Sequence, residues 1–162
     1  MGKIPVLEED GVKLTQTDPI LLRLAKRYGR FSGSNENDEF EILRWLFWDN
    51  HKLSGYMALY RFFRTFTPSP DPAVLEFLRS RIDDFLGIAE QHLETRAFVI
   101  GGEPSIADFS MIGYLCFPPD ESGYDLAVNH PALHAWIGRI AALPGWQAPY
   151  DLLPGKHMHH YQ

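Results

Sequence analysis

Residues 2–29 read GKIPVLEEDGVKLTQTDPILLRLAKRYG, and the proline at position 5 interrupts what is otherwise the start of a β-strand. Proline has no N–H for a strand ladder, so Pro5 belongs at an edge, a bulge or a special turn. Downstream, Asp10-Gly11 is a hairpin turn signal, and Val12 to Thr15 alternates apolar and polar residues as a second, antiparallel strand would. Thr17 or Asp18 suits a helix cap with Pro19 at the first helical position. Ile20, Leu21, Leu22, Leu24 and Ala25 then fall at helical spacing, and Gly29 is a stop. The opening unit is predicted to be strand, strand, helix.

Beyond it, FSGSNENDE (31–39) has the Ser, Asn and Gly content of a linker, and everything after it reads as helical. One long aromatic helix is expected from about Glu36 to Phe66, ended by TPSPDP, whose prolines at 68, 70 and 72 cannot continue it. Asp71 with Pro72 just inside opens the next helix, with an apolar face from Val74 through Leu78, Ile82 and Leu86 to about Glu94. Ser105 with Asp108 three residues on is a capping box, Asp standing where Glu or Gln is usual. Pro131 to Leu143 reads as a further helix, between a Pro- and Gly-rich loop and a polar tail.

The bulk properties narrow the function classes. At 162 residues, with 45% hydrophobic and 22% charged residues, the chain has ordinary globular composition. Nothing approaches the roughly 18 uninterrupted apolar residues of a membrane span, and the start has neither the basic nor the apolar region of a secretory signal. A cytoplasmic protein is the default. The single cysteine, Cys116, follows an apolar run and reads as a packing thiol of a reducing compartment. A net charge of −6 with no basic cluster disfavours nucleic acid as a partner. His51 has no second ligand at metal spacing, and His157, His159 and His160 read as a polar terminus rather than a metal site. Walker, Rossmann and G-x-S-x-G patterns are absent.

Two stretches in order, GKIPVLEEDGVKLTQTDPILLRLAKRYG and PSIADFSM, resemble a cytosolic glutathione S-transferase. The first is similar to the second half of the family's thioredoxin-like domain, the second to the capping-box helix of its all-helical domain. The resemblance implies a mainly α fold: a partial thioredoxin-like β-β-α unit over 1–30, then an all-helical glutathione transferase C-terminal-like domain over 31–162. It implies that the Ile4–Pro5 bond is cis, presenting the Ile4 backbone to the cysteinyl part of glutathione, with no cofactor beyond glutathione as cosubstrate. Gln16 and Thr17 match the family's acid-then-hydroxyl pair, which meets the γ-glutamyl end. A helix N-terminus with a hydroxyl is chemically suited to a carboxylate, although Gln16 departs from the usual Glu and supplies no charge for an ammonium. Lys3 either contacts the glycine carboxylate or is an ordinary solvated charge. In WDNHKLSGYMALYRFF (48–63), Asn50, His51 and Tyr56 are candidates to line the pocket of a small apolar electrophile, the alternative being core or dimer contacts with locally bonded polar tips.

The family's preceding βαβ unit, roughly 30 residues or more, carries the Ser, Cys or Tyr that stabilises the thiolate, so no catalytic residue is assigned here. We expect Met1 to be an interior methionine of a longer gene product, and the chain alone to be inactive or impaired. The parent protein is expected to conjugate glutathione to electrophiles, or to reduce peroxides or disulfides with it, as a homodimer. The alternative is a non-catalytic interaction module of the same shape, its uncovered sheet and helix faces calling for a partner.

Overall fold

A computed structural model describes residues 4–152, so Lys3 and the tail histidines lie outside the described residues. Strands β1 (Val6–Glu9) and β2 (Val12–Thr15) form the expected antiparallel hairpin around Asp10-Gly11, in the register Val6↔Thr15 to Glu9↔Val12. Helix α1 (Thr17–Tyr28) follows directly. Its cap is Gln16 rather than Thr17 or Asp18, and Pro19 sits third rather than first. Both positions lie among the first four residues of a helix, whose N–H groups have no intrahelical partner, so the proline costs no bond there. Glu9 ties strand to helix through its ion pairs with Arg23, at 2.8 Å, and Arg27.

The 31–39 stretch has a linker's composition but is held in place. The Phe31 carbonyl accepts the Ile106 N–H at 3.0 Å, and the Phe31 ring meets Phe109 edge-on at 4.8 Å. Asn35 then caps α2 (Glu36–His51), its side chain accepting the Asp38 N–H.

The long helix expected from Glu36 to Phe66 is two helices, α2 and α3 (Leu53–Phe66), separated at Lys52, where φ −113° and ψ −89° leave the helical region. The turn is tight enough that a β-carbon on Gly55 would lie 2.9 Å from the Asn50 carbonyl oxygen. Hydrophobic periodicity runs through the break because both helices bury one face against α4 (Pro72–Leu93) and its neighbours.

Helix α4 is capped by Asp71 as expected. Helix α5 (Ile106–Met111) starts in the Ser105–Asp108 box and runs into a tight turn at Ile112–Tyr114. The expected loop after it contains two short helices, α6 (Pro119–Ser122) and α7 (Leu126–Asn129), before α8 (Pro131–Ala141). The expected tail begins with α9 (Pro149–Leu152), whose Tyr150 hydroxyl bonds the buried Glu121.

The main core lies among α3, α4, α5 and α8, with Ile82, Leu86, Ala89, Leu133, Trp136 and Ile140 fully buried. A second, smaller cluster of Ala25, Ile42, Leu46 and Ile106 joins α1 to α2 and α5. Ala25 is buried in this cluster and Leu21 packs against it, so apolar contacts join the opening unit to the helices.

Candidate functional site

The register puts Pro5, just before Val6, and Gln16, just after Thr15, at one end of the hairpin. The Ile4–Pro5 peptide is cis, and Ile4 is 92% exposed. Gln16 has φ 74° and ψ 137°, a conformation non-glycine residues rarely adopt, and it leads into Thr17 at the N-terminus of α1. Gln16 and Thr17 are both exposed. One face therefore carries a backbone segment that precedes the ladder, an amide side chain, a hydroxyl and the positive end of a helix. This set can hold a carboxylate and a peptide backbone.

The second group of candidates is dispersed. Asn50 and His51 are exposed at the C-terminal end of α2. Tyr56 is half-buried with its ring 5.4 Å from Phe85 and 6.3 Å from Phe77, so it packs against α4.

Between the two groups lies a polar contact. Asp18, next to Thr17, and Asp49, next to Asn50, both reach the hydroxyl of Ser110 on α5, at 3.2 and 2.5 Å. Asp49 is 1% exposed and also accepts the Ser54 N–H at 3.3 Å, serving one of the unpaired donors at the start of α3. Burial pushes the Asp49 carboxyl above its ordinary value, the bonds from Ser110 and Ser54 pull the other way, and the charge of Asp18 adds to the rise. Asp18 is also pushed up by burial, against the bond from Ser110. Sequence reading missed Asp49 and Ser110 and took Asp18 only as a cap candidate, although one sign was there. Ile42, Trp45, Leu46 and Asp49 follow the i, i+3, i+4, i+7 spacing of a buried helix face, and an aspartate on such a face needs a partner.

The capping box folds as expected and does more. Asp108 takes the Ser105 N–H at 2.8 Å and hydroxyl at 2.9 Å, and with its other oxygen the Val99 N–H and the Trp136 indole N–H, both at 2.8 Å. That network spends both carboxylate oxygens on the fold. Cys116 is half-buried and its thiol is pushed up to about 11 by burial, which leaves it protonated and unreactive at neutral pH. Among the described residues no group of three or more His, Cys, Asp or Glu side chains is placed to hold a metal ion, and no helix is long and apolar enough to cross a membrane.

Comparison with known proteins agrees with this architecture. Residues 72–139 match the family profile described as "Glutathione S-transferase, C-terminal domain". Glutathione S-transferase 2 of Schizosaccharomyces pombe is 24% identical over 178 aligned positions, covering 98% of this chain and 77% of its own length. The chain spans 59% of the length of chicken glutathione S-transferase theta-1. Among solved structures, a glutathione S-transferase from Xanthobacter autotrophicus Py2 superposes with a TM-score of 0.83 at 30% identity, over 94% of this chain and 76% of that one. The Ure2p5 structure from Phanerochaete chrysosporium, cocrystallised with 1-(S-glutathionyl)-2,4-dinitrobenzene, has the same fold, with a TM-score of 0.80 at 23% identity over 88% of this chain and 71% of that one. With the hairpin, its exposed helix N-terminus and the helical domain all in place, this chain belongs to the glutathione S-transferase family.

Proposed function

We propose that the hairpin end is a glutathione-holding shelf: the Ile4 backbone takes the cysteinyl part, Gln16 and Thr17 the γ-glutamyl end, and Lys3 the glycine carboxylate. The observation that carries this reading is the Val6↔Thr15 register, which brings Pro5 and Gln16 together beside the N-terminus of α1. The conjugate in the fungal structure supports the ligand class. Asn50 and His51, exposed at the C-terminal end of α2, are assigned with Tyr56 to the electrophile side of the site. The domain division falls at 30/31. The reaction is attack of the glutathione thiolate on an electrophilic carbon, which forms the S–C bond and expels the leaving group, or reduction of a disulfide or peroxide. Residues 1–162 alone turn over little, because none of them matches the family's thiolate-stabilising position. The working form is a cytoplasmic homodimer.

The test is titration of the isotopically labelled chain with reduced glutathione, followed by amide NMR. Shifts concentrated at Gln16, Thr17 and the residues after Pro5 are expected, and shifts scattered elsewhere or absent at millimolar glutathione would sink the assignment. Conjugation of a chlorodinitrobenzene probe is expected from a protein extended upstream in frame.

A second reading, an interaction module, is favoured by one observation. A two-stranded sheet is marginal on its own, and Val6, Val12 and Tyr28 stand 48, 52 and 67% exposed on the first unit. A well-folded extended protein that neither binds immobilised glutathione nor conjugates the probe would establish that reading instead.

A further inference from the structure

We propose that Asp18 and Asp49 share one proton across the Ser110 hydroxyl, making the contact between the opening unit and the helical domain a protonated dicarboxylate joint that loosens as pH rises. The argument begins with a count of hydrogens. A serine hydroxyl has one hydrogen to give, and an ionised carboxylate can only accept. Ser110 Oγ lies 2.5 Å from Asp49 Oδ2 and 3.2 Å from Asp18 Oδ1. With both aspartates ionised, one of these contacts holds no hydrogen and sets a charged oxygen against a lone pair. One added proton completes both.

The distances say where each hydrogen sits. A separation of 2.5 Å fits a hydroxyl donating to a charged carboxylate. Ser110 therefore donates to Asp49, and Asp18 carries the shared proton and donates it to the Ser110 oxygen.

Among the described residues, no cation is paired with either carboxylate. On α1, Arg23 and Arg27 are turned to Glu9, and on β2 Lys13 pairs with Glu8 at 3.5 Å. On α2, Arg44 is held by Glu41 at 2.5 Å and His51 is exposed; at the turn to α3, Lys52 places its ammonium 5.8 Å from the Phe85 ring centre. On α5, Asp108 is engaged with Val99, Ser105 and Trp136. The charged group that acts on Asp49 is Asp18 itself, and burial raises both carboxyls above their ordinary range. For carboxyls raised in the folded state, the stabilisation is complete below the unfolded-state value of about 3.9 and is lost as pH rises through the folded value. The apolar cluster of Ala25, Ile42, Leu46 and Ile106 is unaffected by pH, so the loss frees the N-terminal end of α1 and does not release the unit.

The experiment is a pH titration of the 162-residue chain carrying 13C at the aspartate carboxyl carbons, with a parallel series of thermal unfolding midpoints. Two aspartate resonances should titrate together above the ordinary range. In Asp18→Asn, whose amide donates to Ser110 without a proton, the Asp49 resonance should stay ionised through that range. The fall in Tm as pH rises above the ordinary aspartate range should shrink by roughly half or more. Ser110→Ala should separate the two titrations. If Asp18 titrates near its ordinary value regardless of Asp49→Asn, or Asp18→Asn leaves the Tm profile unchanged, the shared proton is refuted. Should a variant fail to fold, the titration of the unsubstituted chain decides alone.

Discussion

Asp108 shows how much one buried side chain can organise. It is fully buried, and its two oxygens take four donors from the 99–105 turn, the start of α5 and the α8 indole. Asp108→Ala would leave those donors unpaired inside the protein, and the expected loss is about 3 kcal/mol or more in a urea unfolding series. Ser105→Ala, which keeps the carboxylate and the backbone bond, should cost only about 1 kcal/mol. Arg61 and Glu121 obey a different rule. Glu121 is 1% exposed and pairs with Arg61, whose guanidinium also lies 3.9 Å from the Phe117 ring centre. Arg61→Ala should destabilise by roughly 3–5 kcal/mol by stranding a buried charge. The double variant Arg61→Met, Glu121→Leu should recover most of that loss, since apolar replacement of a buried pair is commonly neutral. A double variant no more stable than Arg61→Ala would show that the pair is worth more than its desolvation.

At the level of elements, sequence reading succeeded where one local rule decided the outcome. The Asp10-Gly11 hairpin, the Asp71–Pro72 start of α4 and the Ser105–Asp108 box all formed as read. It failed at Lys52 because the one weak helix former there, Gly55, is tolerated inside many helices: the break lies in the tertiary route of the chain. The same gap explains the site. Gln16 and Thr17 became candidates through the family resemblance, while cap chemistry alone pointed to Thr17 or Asp18 and missed Gln16 as the cap; Asp18, Asp49 and Ser110 meet only once α1, α2 and α5 are assembled, at sequence separations of 92 and 61 residues. Two glycine substitutions make the distinction measurable. Gly87→Ala in α4, where a β-carbon meets nothing within 4 Å, should stabilise by about 0.5–1 kcal/mol through helix propensity. Gly55→Ala gains the same propensity but drives a methyl to 2.9 Å from the Asn50 oxygen, so a net loss of stability is expected. Equal gains at both sites in thermal unfolding would mean that the α2–α3 turn yields easily.

For the molecule as a whole, the opening unit is held by groups that answer to pH in opposite directions. The Glu9 carboxyl is held below its ordinary value, first by its bond from Arg23 and then by the charges of Arg27 and Arg23, against some burial. Its contribution is therefore present above the ordinary glutamate value of about 4.3 and is lost as pH falls through the lower folded value. Glu9→Gln should remove this acid-side dependence, read as amide exchange of β1, β2 and α1 below about pH 4. Unchanged exchange in the variant would leave the arginines without a fastening role. The tie from the Phe31 carbonyl to the Ile106 N–H, with the Phe31 ring on Phe109, has a different consequence for the whole chain. It makes the 31–39 stretch a poor place to exchange parts between relatives. A chimera that imports a foreign first unit through residue 31 meets a helical domain whose Ile106, Phe109 and Ser110 were fitted to the native Ala25, Phe31 and Asp18. Such a chimera should recover native cooperativity only when the three α5 positions are imported with it, so the heritable module is a composite of residues far apart in the chain.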